Sequence, residues 1–285
     1  MDALRRHAVF ICLIATLAAV APAAAGTLER IRERQSIVLA YRTGTPPFSF
    51  KDRNGQVRGY SVELCARVAA LIGRQLGLPN LRIEWVPVDA DARIEIVASG
   101  RADAECGTTT VTLSRMERVD FSLPIFVDGG TLVVRAQSDI RRVADPKGRR
   151  VAVIPATTTE RALLRTLDLF EAGGPIVHVA RPEEGVAAVL AGRVDAYAGD
   201  RTVLTKVLLE AEGEPTAMLL EDFSFEPYAI VVARNDPDFR LAVNRALVET
   251  YRRGDIDPIF QRWLAPLGKP SPLLNAMFYL NTLPD

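Results

Sequence analysis

Gly100-Arg101-Ala102-Asp103-Ala104-Glu105-Cys106-Gly107-Thr108 is echoed further along the chain by Gly192-Arg193-Val194-Asp195-Ala196-Tyr197-Ala198-Gly199-Asp200. Each copy follows an amphipathic helical stretch, residues 93–98 in the first case and 185–190 in the second. Each ends at a glycine plus a hydrogen-bonding residue. Chance recurrence of Gly-Arg-x-Asp-Ala is the alternative. The matching context favours two similar α/β lobes, each with a strand whose carboxyl end reaches the same kind of place. Ligands in open α/β sheets bind outside the carboxyl ends of strands, so Thr108 and Asp200 are expected to face each other across a cleft.

Outward from the first copy lies a run of hydroxyls, Thr108-Thr109-Thr110-Val111-Thr112-Leu113-Ser114-Arg115. Threonines just past a strand (here 104–106) offer N–H and O–H groups to a small polar ligand. The planar fork of Arg115 can grip a carboxylate with two parallel bonds. The plain alternative is a threonine-rich loop with a surface arginine.

The flanking segments alternate strand and helix signals, which predicts an α/β fold with largely parallel sheets. Residues 36–41 read as a buried strand with Arg42 at its end, and Asn54-Gly55 as a tight turn. Ser61 is placed to cap a helix whose apolar face is Leu64, Cys65, Val68, Ala69, Leu71 and Ile72. Leu81, Ile83 and Trp85 alternate as a strand, and Arg93 opens a short helix ended by Gly100. Residues 150–154 form a strand, and Thr157-Thr158-Thr159-Glu160 opens a helix whose free N–H groups suit a carboxylate; the alternative is simple capping. The strand at 229–233 carries the chain back, and the 239–251 and 260–264 segments are expected on the first lobe. The organisation predicted is residues 26–131 with 231–285 as lobe 1 and 132–230 as lobe 2, with hinges near 131–135 and 228–232.

Met1 to Ala25 reads as a secretory signal peptide: Arg5 and Arg6, an apolar run from Ala8 to Val20, then Ala23-Ala24-Ala25. The run is shorter than a membrane span and ends at Pro22, so export as a soluble protein is expected. The chain is 48% hydrophobic and 25% charged. Removing residues 1–25 takes Arg5, Arg6 and Asp2 from 35 basic and 35 acidic residues and leaves 33 and 34. That balance argues against nucleic-acid binding. Cys65 and Cys106 are the two cysteines left, compatible with one disulfide or two buried thiols and not with a zinc site. No metal or cofactor is expected. His178, the one histidine after residue 25, is expected to be structural or on the surface.

These residues resemble the bacterial periplasmic proteins that bind polar amino acids for ABC importers, and within them the glutamate/aspartate-binding branch. The resemblance is carried by Pro47-Phe48-Ser49, Gly59-Tyr60-Ser61, Glu105-Cys106-Gly107-Thr108-Thr109-Thr110, Arg115, Asp120-Phe121-Ser122, Thr157-Thr158-Thr159-Glu160 and Glu226-Pro227-Tyr228. It implies a two-lobed fold with the ligand between the lobes, a periplasmic monomer and a membrane permease as partner. It further implies that Arg115, helped by Thr110 and Thr158, holds the ligand α-carboxylate. Asp200 would pair with the α-ammonium, and Arg42 and Arg93 would meet the side-chain carboxylate with Thr108 beside them. Ala90 stands where acidic-ligand relatives can carry a serine, and residues 181–185 lack a histidine that a relative places near the ligand. Both departures bear on the choice between glutamate and aspartate.

The function expected is capture of an acidic amino acid, without catalysis. A periplasmic dehydratase or lyase on the same scaffold is the alternative, since fold does not fix function. The sequence offers it no Gly-x-Ser-x-Gly elbow and no histidine suited to acid/base work near the cleft. A detached ligand-sensing module is a third reading.

Overall fold

The computed structural model describes residues 26–211 and 215–284; the proposed signal peptide lies outside them. Helix α1 (Thr27–Arg34) leads into β1 (Ser36–Arg42). A small antiparallel meander follows, β2 (Gly44–Thr45), β3 (Ser49–Lys51) and β4 (Val57–Arg58), turning through Asn54-Gly55 with Gly55 at φ 78°. Helix α2 (Tyr60–Gln75) starts one residue before Ser61, which therefore sits in the first turn and is not the cap. Gly59 takes that place with φ 131°, and a Cβ there would stand 2.2 Å from the Phe48 carbonyl oxygen. No residue with a side chain fits.

The chain continues through β5 (Arg82–Val88), α3 (Glu95–Ala98), β6 (Ala104–Glu105), α4 (Leu113–Met116) and β7 (Val119–Asp128). It then crosses into β8 (Gly130–Arg135), β9 (Val151–Val153), α5 (Thr158–Leu169), β10 (Ile176–His178), α6 (Pro182–Leu190), β11 (Ala196–Asp200), α7 (Arg201–Glu210) and β12 (Thr216–Met218). Strand β13 (Glu226–Ala233) returns, and α8 (Pro237–Arg252), α9 (Ile256–Trp263) and α10 (Pro272–Leu280) complete the chain.

The two five-stranded sheets share one design. The first runs β5-β1-β6-β13-β7 and the second β10-β9-β11-β8-β12. In each, four strands run one way and the fourth in spatial order, β13 or β8, runs antiparallel to both its neighbours. The sheets are thus less parallel than the alternation of elements predicts. One strand in each sheet is reversed: β13 in the first and β8 in the second, each entered just after the chain crosses from the other sheet.

The sequence echo has a structural cause. Asp103 exchanges two bonds with Val38: its N–H donates to the Val38 carbonyl, and its Oδ2 accepts from the Val38 N–H, both at 2.8 Å. Asp195 makes the same pair with Arg150, again at 2.8 Å. Each aspartate finishes the parallel pairing where a helix hands over to a strand, and each is preceded by a glycine at positive φ, Gly100 and Gly192.

Apolar residues cover both faces of both sheets. Ile37, Leu39, Leu64, Ile72, Phe239 and Leu247 share the largest core, so α8 and α9 pack on the first sheet as expected. In the second sheet Leu132 and Val134 face one core while Val133 faces the other, the period-2 alternation of a strand covered on both sides. Residues 131–135 and 228–232, expected to flex, lie inside the ladders of β8 and β13. The chain changes sheets just before them, at Gly129 and at Ser224-Phe225. Those crossings are tied together: the Phe223 N–H donates to the Gly130 carbonyl at 2.8 Å and the Gly130 N–H to Ser224 Oγ at 3.0 Å.

Cys65 on α2 and Cys106 after β6 form a disulfide across 41 residues, and both are buried. Cross-linking a loop of this size stabilises a fold by about 2–4 kcal/mol, chiefly by restricting the unfolded chain. The double variant Cys65→Ala/Cys106→Ala should lose about that much, read as a lower midpoint in urea titration; an unchanged midpoint would show that the bond adds nothing.

Candidate functional site

Four parallel strands end at one cavity. Arg42 is the last residue of β1, Thr108 follows β6, Val153 ends β9 with Ile154 after it ahead of α5, and Asp200 ends β11. Arg93, in the turn before α3, Thr158, the first residue of α5, and the hydroxyls of Thr45, Thr157 and Thr159 add to the polar lining. Five of the seven residues expected at the site therefore meet there. The other two stand directly behind: Thr110 Oγ1 is 3.1 Å from Thr158 Oγ1, and the Arg115 guanidinium donates to the Thr110 carbonyl at 2.7 Å. Thr157 caps α5, accepting from the Glu160 N–H at 3.0 Å, which leaves the amides of Thr158 and Thr159 at the positive end of the helix.

Arg42, Arg93 and Arg115 are only 7%, 3% and 8% exposed, so none is a surface arginine. Desolvation and the charge of Arg93 push the Arg42 guanidinium down to about 10. Desolvation, with Arg93 and Arg161 behind it, pushes Arg115 down to about 9. Among the described residues none of the three lies within 4 Å of a carboxylate oxygen, and the buried Nε of Arg93 has no hydrogen-bond partner. Outward pairing of Arg42 or Arg93 with Asp89 or Asp91 is absent.

The pocket is not simply positive, however. Glu105, fully buried on β6, lies close enough to oppose the charges of Arg93, Arg42 and Arg115, and its Oε2 accepts from Thr109 Oγ1 at 2.7 Å. A Cβ at Gly107 would stand 2.2 Å from Glu105 Oε1 and 2.9 Å from Arg42 Cγ, so the glycine after Cys106 lets acid and arginine approach beneath the cavity.

The opposite end is acidic. Asp200 Oδ1 accepts from Thr159 Oγ1 and its Oδ2 from the Tyr228 hydroxyl, each at 2.6 Å. Glu226, 1% exposed at the start of β13, accepts from Thr158 Oγ1 at 2.6 Å and from Thr110 Oγ1. Asp128, the last residue of β7, accepts from the Gly129 N–H at 2.9 Å and the Thr202 N–H at 3.2 Å. Glu105, Glu226, Asp128 and Tyr228 are not among the residues expected from the sequence. The available signal was Glu226-Pro227-Tyr228, where an acid opens an otherwise apolar strand. His178 is exposed on β10, its Nε2 2.6 Å from Glu160 Oε1, and takes no part.

Residues 37–266 match the bacterial extracellular solute-binding proteins, family 3. The chain belongs to this family. It is 31% identical to the L-glutamate/L-aspartate-binding protein of Pseudomonas aeruginosa, over 84% of this chain and 80% of that protein. Two solved structures share its fold. An ancestral arginine-binding protein bound to glutamine is 29% identical, covers 81% of this chain and 98% of its own, and superposes with a TM-score of 0.73. The ancestral amino acid-binding protein AncCDT-1, a precursor of cyclohexadienyl dehydratase, is 28% identical over 83% of this chain and 99% of its own, with a TM-score of 0.72. The protein is therefore a solute-binding protein with the two-lobed α/β fold of its relatives. No helix among its described residues is long and apolar enough to cross a membrane.

Desolvation, then the charge of Asp200, pushes the Asp128 carboxyl up to about 7, against the two amides that favour its ionised form. A carboxyl raised in the fold keeps its proton after the unfolded chain has lost it. Its contribution is complete at low pH, falls as pH rises from about 4 to about 7, and then levels. Asp128→Asn keeps an acceptor for the amides and removes the titration. It should raise the melting temperature by a few degrees at pH 8, at roughly 2–4 °C per kcal/mol, and leave it unchanged near pH 4. Equal shifts at both pH values would refute the assignment.

Proposed function

We propose that this protein captures an acidic amino acid, glutamate or aspartate, in the periplasm and delivers it to the permease of an ABC importer, without acting on it chemically. The observation that carries the reading is the charge layout of the cavity. At one end Arg42 and Arg93 outnumber Glu105, leaving one positive charge for a side-chain carboxylate. At the other, Arg115 and the free amides of α5 suit an α-carboxylate, with Thr110 and Thr158 beside them and Asp200 facing the α-ammonium. Buried charges are tolerated when paired, and a ligand with two carboxylates and one ammonium supplies the missing partners. Thr108 adds a hydroxyl between the two ends. The identity to a glutamate/aspartate-binding protein supports the same reading. Ala90, which presents a methyl group, and the absence of a histidine in 181–185 leave the two arginines to carry the selectivity. The two sheets with their helices, joined at Gly129 and Ser224-Phe225 rather than at the bounds expected from the sequence, are read as the two lobes that close on the ligand by a hinge motion.

Calorimetric titration of the protein against the twenty amino acids tests the assignment. Glutamate or aspartate should bind tighter than glutamine by about 1–3 kcal/mol, since a neutral side chain leaves a guanidinium desolvated and unpaired. Arg93→Ser should weaken the acidic ligands most and narrow that gap. Equal affinities for glutamate and glutamine, unaltered by Arg93→Ser, would overturn the acidic-ligand reading. Arg115→Ala should lower affinity for every amino acid by roughly 30-fold or more, the cost of removing one partner of a desolvated pair; near-normal binding by the folded variant would remove Arg115 from the site.

A lyase is the second reading, favoured by the buried Asp128 carboxyl, which desolvation holds toward the protonated form a general acid needs. The likeness to a dehydratase precursor points the same way. Proton NMR of glutamate and aspartate after prolonged incubation separates the readings: unaltered amino acid supports capture, and an eliminated product supports the lyase.

A further inference from the structure

Thr110 precedes β7 in the first lobe and Thr158 opens α5 beside the second sheet, yet both hydroxyls converge on a single oxygen, Oε2 of Glu226. A threonine hydroxyl has one hydrogen to give and two lone pairs to receive with. Glu226 is 1% exposed, and with Ser224 its carboxylate meets three hydroxyls. The two threonine oxygens are 3.1 Å apart and could bond each other, but Glu226 Oε2 lies nearer, 2.6 Å from Thr158 Oγ1, and receives both hydrogens. With both hydrogens turned to Glu226, the remaining lone pairs of Thr158, which lines the cavity, and of Thr110 behind it are left for the cleft.

Resting on the amino-acid-binding reading above, we propose that Glu226 is a positioning residue that sets the polarity of these two hydroxyls and so makes the site select for an ammonium group. Thr110 and Thr158 then act through their hydroxyl oxygens as acceptors. The ligand carboxylate is left to Arg115 and the amides of α5, and the threonine oxygens join Asp200 in receiving the ammonium hydrogens. This revises the expectation that the threonine hydroxyls serve the α-carboxylate. It also explains why an acid is buried beside Asp200, where another negative charge is otherwise unfavourable: two hydroxyls facing their hydrogens into the cleft would repel an ammonium.

The test compares glutamate with glutarate, which keeps both carboxylates and lacks the ammonium. Glu226→Met keeps the volume and removes the acceptor, so both hydroxyls are free to turn their hydrogens toward the cleft. Wild-type protein should prefer glutamate. Glu226→Met should lower glutamate affinity by roughly ten-fold or more, the loss expected for a hydrogen bond to a charged group, and leave glutarate within about a factor of three. Thr158→Val, which removes the acceptor oxygen, should produce the same selective loss. Equal weakening of both ligands in both folded variants would make Glu226 a merely structural residue and overturn the proposal, as would an unchanged glutamate-to-glutarate ratio. If wild-type protein prefers a different amino acid, the acidic-ligand reading fails alone, and the comparison is decided with that amino acid and its des-amino analogue. If it binds no amino acid, both fall.

Discussion

Three guanidinium groups share a space nearly closed to water, and much of the surrounding architecture answers that constraint. Desolvation and mutual repulsion press Arg42 and Arg115 well below the usual arginine range. Glu105 is placed beneath them on the shortest strand of the first sheet, held by Thr109 and admitted by the missing side chain of Gly107. The Cys65–Cys106 disulfide fixes that strand's end to α2, so the loop carrying Gly107 and Thr108 starts from an anchored point. Stability and site geometry are thus coupled at one place. A loop free to relax would let the arginines separate and the cavity lose its charge pattern.

The two lobes meet through polar contacts that belong to the same residues. Thr110 reaches Thr158, Glu226 reaches Thr158, and the Tyr228 hydroxyl reaches Asp200. Tyr228 itself is wedged among Phe48 and Phe126, with ring centroids 5.4 and 6.1 Å away, and Tyr60 closes the same cluster. One end of this tyrosine is held by apolar packing in the first lobe while the other answers to the charge state of the second. Aromatic contacts of this kind add about 0.5–1.5 kcal/mol each beyond burial, enough to keep the hydroxyl aimed. A polar seam between lobes can separate without exposing large apolar surface, which is the property a hinge requires.

Much of this was legible in the sequence, for a definite reason. Parallel strands deliver whatever follows their carboxyl ends to one edge of a sheet, so Arg42, Thr108, Thr158 and Asp200 could be placed together once the strands were found. The Gly-Arg-x-Asp-Ala echo was legible because Asp103 and Asp195 perform one backbone task twice. Strand direction was not legible. An apolar run buried on both faces, such as 229–233, reads the same whichever way it runs, and only the crossings at Gly129 and Ser224-Phe225 set the one reversed strand of each sheet. Nor were the buried acids. Glu105, Asp128 and Glu226 each stand next to residues of ordinary strand type, and a single acid in such a run is indistinguishable from a solvent-facing one until its partners are known. Ser61 failed as a cap because Gly59, forced by the Phe48 carbonyl, starts the helix a residue early.

The acids and arginines are separated except at two points: Glu105 trims the basic end, and Arg115 stands near Glu226, while Asp128, Asp200 and Glu226 gather where β7, β11 and β13 come together at the crossings. A cavity walled by low-dielectric protein preserves such a separation of charge, since little water enters to screen it. An α-amino acid is itself a separated pair of charges on one carbon, and a field with a sign change across a few ångströms holds it in one orientation before any individual bond forms. The two lobes contribute unequally to that field: the first supplies all three arginines, the second supplies Asp200 and the amides of α5. On the proposed reading, Arg115 from one wall and the amides of α5 with Asp200 from the other would hold the two charged groups of the α-carbon from both sides, each brought there by where its strand or helix begins or ends.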